Sequence, residues 1–263
     1  MVYFLHKLKV RSDLLFYFGL LCLVFAAICF VLSYFQNVEV YGVNAWLKPL
    51  KFALSTAIFV WSMAWFTGYI VNFNKDLFAW TTIILLGFEI VYIAWMASQG
   101  KTSHFNVSTD LNRILFSMMA LAATLVTLYT AYVGLLFFTD RVVPLEKHYL
   151  WAIRFGIWIF VIFAFEGFLM GSRMSHSVGL VNDNSNLFIL GWSKIVGDLR
   201  VAHFVGMHAL QVLPLLSWYV FKSSKWTILF AFLYLALATF TLVQALSGKP
   251  LRSSLQIFSS VQD

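Results

Sequence analysis

Charged side chains are scarce in this chain. They make up 11% of its 263 residues, whereas a soluble domain carries about a quarter. Hydrophobic residues reach 61%, more apolar surface than a soluble fold of this length has interior to hide. The composition is that of helices facing lipid. Cysteine is limited to Cys22 and Cys29. Both lie in one apolar run, on one helix face, too far apart along the axis to bridge, so they read as small core residues. A Walker loop, GxGxxG, GxSxG, HExxH and paired CxxC motifs are all missing. No lysine stands mid-membrane in the last apolar run, which argues against a retinal Schiff base. The net charge of +7 is not concentrated: Lys and Arg occur singly or in pairs between apolar runs. That pattern argues against a nucleic-acid surface and fits the basic ends of spans that anionic headgroups select.

What is present is a series of seven apolar stretches, at approximately 14–35, 52–71, 77–97, 114–138, 149–171, 201–221 and 226–246. Each is about the length that crosses hydrocarbon as a helix, and a lone strand at that depth would leave its backbone unpaired. The expected fold is an all-α integral membrane protein, seven transmembrane helices in a single bundle, with 1–263 as one polytopic domain. Lys7, Lys9 and Arg11 precede a first stretch longer than a signal peptide's core, so it reads as a retained span. Connections alternate in length: 36–51, 98–113 and 172–200 are long, and 72–76, 139–148 and 222–225 are short. The long ones and the C-terminal tail therefore share one side. Residues 179–191 have the turn-prone composition of an ordered loop. Basic residues are denser on the short-loop side, which places the N-terminus in the cytoplasm and the C-terminus outside.

Ionisable groups at membrane depth are expensive and persist where something offsets them, so the few that occur are informative. Measured from the long-loop end at the helical rise, Glu89 lies about 12 Å in and Glu166 about 8 Å. His203 and His208 lie about 3 and 10 Å in from the same side. Lys48 and Lys51 flank Pro49 where the second stretch begins, and His104 and His176 follow the third and fifth. Arg154 is the contrary case, near the short-loop end, where it can snorkel. On a helical wheel Arg200, His203, His208 and Gln211 share one polar sector of the sixth stretch, opposite an apolar arc. Such a stripe should face protein or a wet cavity, because lipid cannot satisfy it. A second pattern sets Glu89 before Ser103-His104 and Glu166 before Ser175-His176, the outline of an internal duplication that pairs the third span with the fifth.

Imidazoles and carboxylates suit zinc, iron or copper. One reading is therefore a metal- or haem-assisted membrane enzyme acting on a lipid or lipophilic small molecule near the extracytoplasmic face. In it His203, His208, His104 and His176 supply metal ligands, zinc or iron, or an axial ligand to haem. Glu89, Glu166 and His208 do acid–base work, and Lys48, Lys51, Arg200 and Gln211 hold an anionic substrate. His203 and His208 are five apart, whereas paired ligands on a straight helix sit three or four apart, so other elements would have to complete the site. The competing reading is a proton-coupled small-solute carrier or channel with Glu89 and Glu166 as relays, against which the lack of inverted repeats counts. A third is a receptor or structural membrane subunit whose polar core only binds helices together. In helix count and in histidines loaded toward one face the chain resembles seven-helix membrane hydrolases of the alkaline ceramidase and adiponectin receptor type. Their HxxxH spacing is absent, so no residue carries over.

Overall fold

A computed structural model describes residues 2–179 and 191–251. The eleven residues read above as the interior of an ordered loop, 180–190, lie outside the described part. Seven helices are long and apolar enough to cross a membrane. They are α2 (Asp13–Phe35), α3 (Leu47–Thr67), α4 (Lys75–Ser98), α5 (Asp110–Leu136), α6 (Lys147–Arg173), α7 (Leu199–Leu216) with its π-helical turn Ser217–Phe221, and α8 (Ser224–Leu246). A short α1 (Val2–Arg11) precedes them. The all-α seven-span fold is thus what the apolar runs announced. The second span differs in register: it starts at Leu47, not 52, so Lys48, Pro49 and Lys51 lie inside the helix. Proline is tolerated there because the first turn's donors have no intrahelical partner to lose.

Helix starts follow capping chemistry. Ser12, Asn74 and Thr109 accept from the backbone N–H three residues on, at 3.4, 2.9 and 3.1 Å, which satisfies donors that would otherwise face the membrane interface bare. The extended conformation of Ser12 breaks the chain between α1 and α2. Arg11 then lies over the rings of Trp65 and Tyr69, 4.0 Å from each centroid, and bonds the Trp65 carbonyl.

By contacts the chain forms two compact units, Met1–Leu145 and Glu146–Asp263. Each contains a run of three spanning helices built to one plan. In the first, α2 leads through an antiparallel hairpin, β1 (Glu39–Val40) and β2 (Val43–Asn44), to α3, and a short turn leads to α4. In the second, α6 leads through β3 (Ser177–Val178) and β4 (Gly197–Asp198) to α7, and a short turn leads to α8. The residue closing each strand pair accepts from the N–H two residues on, although only Asp198 is thereby the N-cap of its helix; the N-cap of α3 is Trp46, whose side chain makes no capping bond. Asn44 Oδ1 accepts from Trp46 N at 3.0 Å, and Asp198 Oδ1 accepts from Arg200 N at 3.1 Å.

The burial registers coincide as well. With Asp13 set on Lys147, every buried residue of α2 falls on a buried residue of α6: Leu15 on Tyr149, Phe18 on Ala152, Gly19 on Ile153, Cys22 on Gly156, Ala26 on Phe160 and Cys29 on Phe163. With Lys75 set on Ser224 the agreement is partial: Phe78, Thr82, Glu89, Tyr92 and Met96 fall on the buried Thr227, Ala231, Ala238, Thr241 and Ala245, whereas the buried Ala79, Ile90, Ile93 and Ala97 fall on residues that are not buried. The middle helices match after a one-residue slip, with Ala53 on Gly206, Ala57 on Leu210 and Val60 on Leu213. The two runs thus share an order of elements, a three-helix module in each unit, which sets span one beside span five and span three beside span seven rather than span three beside span five. Ser103-His104 sits in a connection without strand pairing, whereas Ser177 of the second segment is in β3.

Small residues set the helix spacing within the second module. A Cβ on Gly156 would stand 3.0 Å from the Ala209 carbonyl and 3.4 Å from Leu210 Cα, and one on Gly206 would enter the Phe163 ring. Backbone thus approaches backbone across α6 and α7, the packing that replaces hydrophobic drive in lipid. At the short-loop end His148 Nδ1 and Thr227 Oγ1 lie 3.0 and 2.9 Å from Ser217 Oγ, tying the three helices together just after Pro214. Gly156→Val should lower stability by about 1–3 kcal/mol through overpacking. Gly171→Ala on the same helix, where nothing lies within 4 Å, should change it by less than about 0.5 kcal/mol. Thermal unfolding in detergent micelles compares the two.

Candidate functional site

In the second module the structure brings together two of the residues picked out from the sequence. His203, one turn into α7, puts Nδ1 at 3.3 Å from Glu166 Oε2 on α6. The side chain of Glu166 is 5% exposed and that of His203 30%. The separation is an ion-pair distance, but the directions are wrong for a hydrogen bond, and neither Glu166 oxygen nor His203 Nδ1 has a hydrogen-bond partner among the described residues. Gly167 lies against the ring: a Cβ there would stand in van der Waals contact, 3.4 Å from His203 Cε1. Because ring and carboxylate meet off-axis, small rotations of either side chain would make or break the bond.

Arg200 is engaged differently from the substrate-holding role expected of it. Its guanidinium forks onto Asp198, Nε to Oδ1 at 2.9 Å and Nη2 to Oδ2 at 2.6 Å, and also reaches the Gly191 carbonyl. Asp198 is 4% exposed and accepts the Ser193 N–H as well, at 2.9 Å. Burial by itself would raise the Asp198 carboxyl above its ordinary value. The Arg200 hydrogen bonds and charge, with the Ser193 N–H and His176, outweigh burial and hold it below. His176 lies beside this network. Its ring Nδ1 is 2.9 Å from Ser177 Oγ, and its carbonyl accepts from Leu199 N at 2.9 Å. Sequence reasoning passed over Asp198, although an Asp immediately before a helix that opens Leu-Arg is the ordinary N-cap signal.

His208 does not join His203. Its Nδ1 is 2.7 Å from the carbonyl of Phe204 one turn back, and its ring lies 4.0 Å from the Phe204 ring, which in turn meets Trp192. Gln211, three residues further along α7, is partly buried. The polar sector drawn on the helical wheel thus separates into an Arg200 network, the His203–Glu166 pair and a His208–Phe204–Trp192 aromatic group. Among the described residues no three His, Cys, Asp or Glu side chains gather as a metal-holding group.

The remaining candidates belong to the first module. Lys48 and Lys51 occupy the first turns of α3, both partly buried. His104 has Nδ1 3.2 Å from Ser103 Oγ, with its ring 5.4 Å from Phe52 and 6.3 Å from Phe116. Glu89 on α4 is 8% exposed and its Oε1 lacks a hydrogen-bond partner.

Asp198 carries the clearest pH dependence. A carboxyl held below its unfolded value of about 3.9 contributes stability that is fully present above that value and is lost as pH falls through the lower folded value. Acid titration of thermal stability should therefore show a loss in that window that is absent in Asp198→Asn. At neutral pH Asp198→Ala should cost about 3 kcal/mol, since it strands the Arg200 charge. Comparison with protein-family models, curated proteins and solved structures finds no match for this chain.

Proposed function

We propose that this protein is a proton-coupled carrier of a small solute, with Glu166 and His203 as the pair that takes up and releases the coupled proton. The observation that carries the reading is the buried carboxylate and imidazole facing each other at 3.3 Å without hydrogen-bond partners. A carboxyl–imidazole pair can hold one proton on either member, and neither Glu166 oxygen nor His203 Nδ1 is spent on a hydrogen bond among the described residues. The doubled three-helix module adds support, because many carriers are built from repeats. Spans one and five are an even number of crossings apart, so this repeat is parallel rather than inverted.

In proteoliposomes filled with a pH-sensitive dye, one member of a panel of amino acids, mono- and dicarboxylates and sugars should drive internal acidification. Glu166→Gln should reduce that signal to the rate of empty liposomes. An undiminished rate in Glu166→Gln removes the pair from the coupling. The same two donors also favour a second reading, the metal-assisted enzyme, in which Glu166 and His203 begin a zinc or iron site that His208 or His176 would have to complete. One zinc or iron per purified chain, lost in His203→Ala, would favour that enzyme over the carrier.

The proposed orientation keeps the N-terminus and the short connections in the cytoplasm. With Cys22 and Cys29 replaced by alanine, a cysteine substituted for Lys101 should react with an impermeant maleimide in intact cells. One substituted for Asp140 should react only after lysis. The opposite pattern reverses the orientation.

A further inference from the structure

The first module holds a buried acid of its own. Glu89 is 8% exposed and Tyr92 3%, and neither Glu89 Oε1 nor the Tyr92 hydroxyl has a hydrogen-bond partner among the described residues. Three residues apart on α4, the two share a helix face with their Cβ atoms about 5–6 Å apart. Around Tyr92 the packing is apolar, with Ile93, Met96 and Met119 in the core and Phe52, Phe88 and Leu115 against them.

The repeat supplies an internal control. The place of Glu89 is taken in the second module by Ala238, wholly buried, and that of Tyr92 by Thr241, whose hydroxyl donates to the Ala238 carbonyl at 2.8 Å. The matching position of α8 therefore carries no acid, and its neighbouring hydroxyl is satisfied inside its own helix. A buried carboxyl at membrane depth with an oxygen that lacks a hydrogen-bond partner among the described residues is expensive, and such a group points to a role in binding.

We infer that Glu89, with Tyr92 beside it, is a proton-binding site of the first module. The O–H bond of the acid breaks to give the carboxylate as the proton leaves to water, and it re-forms on uptake; the Tyr92 hydroxyl donates to the charged form. The other ionisable side chains on elements packed against α4 are Lys48 and Lys51 on α3, Asp13, Tyr17, Cys22, Cys29 and Tyr34 on α2, and Asp110, Arg113, Tyr129 and Tyr132 on α5. Lys101 and His104 lie in the connection that follows. Lys48 and Lys51 stand in the first turns of α3, at the long-loop end, and a cation on that side favours the carboxylate when the proton departs.

The inference does not rest on the carrier reading, and pH-difference infrared spectroscopy of the full chain in lipid tests it without any solute. The wild-type spectrum should contain a carboxylic-acid C=O band that vanishes in Glu89→Gln, persists in Glu166→Gln and shifts in Tyr92→Phe. A Glu89→Gln difference spectrum identical to wild type overturns the inference. Should the Gln variant fail to fold, Glu89→Asp should move the band, and an unmoved band overturns the inference equally. Failure of solute-driven acidification with the Glu89 band intact bears on the Glu166 reading alone.

Discussion

A polar group inside hydrocarbon has no water to turn to, and every feature of this protein is arranged around that constraint. Backbone groups are satisfied within helices, and the exposed first turns are closed by Ser12, Asn74, Thr109 and Asp198. Side chains follow the same rule at greater expense. Arg200 is matched by a buried carboxylate that also caps its helix, so one residue answers a charge and an open helix end together. Groups that are left unanswered stand out against this background. Glu166, His203, Glu89 and Tyr92 keep buried polar atoms without partners, and in a membrane that is a recurring mark of function.

The repeated module explains how such groups can be tolerated. Its stability comes from close helix contacts through small residues and from interlocked rings, as where Phe163 packs onto Gly206 and Trp61 onto Gly19. The two copies place these contacts differently, with the glycine on the middle helix in one and on the first helix in the other. Because they do not use the acids, each copy could acquire a carboxyl at a different place, on the first helix at Glu166 and on the third at Glu89, without changing the scaffold.

The histidines show where one-dimensional reasoning reaches its limit. Placing His203 and His208 in one polar sector was correct as geometry on a wheel, yet the sector spans enough arc for its members to meet different neighbours. His203 meets Glu166 of α6, while His208 turns back to its own backbone and the Phe204 ring. Asp198, which holds Arg200, is not conspicuous by charge at membrane depth.

Length and hydropathy alone determined the seven candidate spans and the helical class, because crossing hydrocarbon imposes a length and a backbone geometry that any adequate apolar run must obey. The start of α3 escaped because Lys48 and Lys51 interrupt hydropathy without interrupting the helix. The hairpins, the module repeat and the pairing of His203 with Glu166 were decided only in the tertiary structure. Strand pairs of two residues carry no periodic signal, and burial registers repeat without residue identity when many apolar side chains fill one shape equally well. Which polar groups meet depends on which small residue lets two helices approach, and that is a property of the packed pair rather than of either strand of sequence.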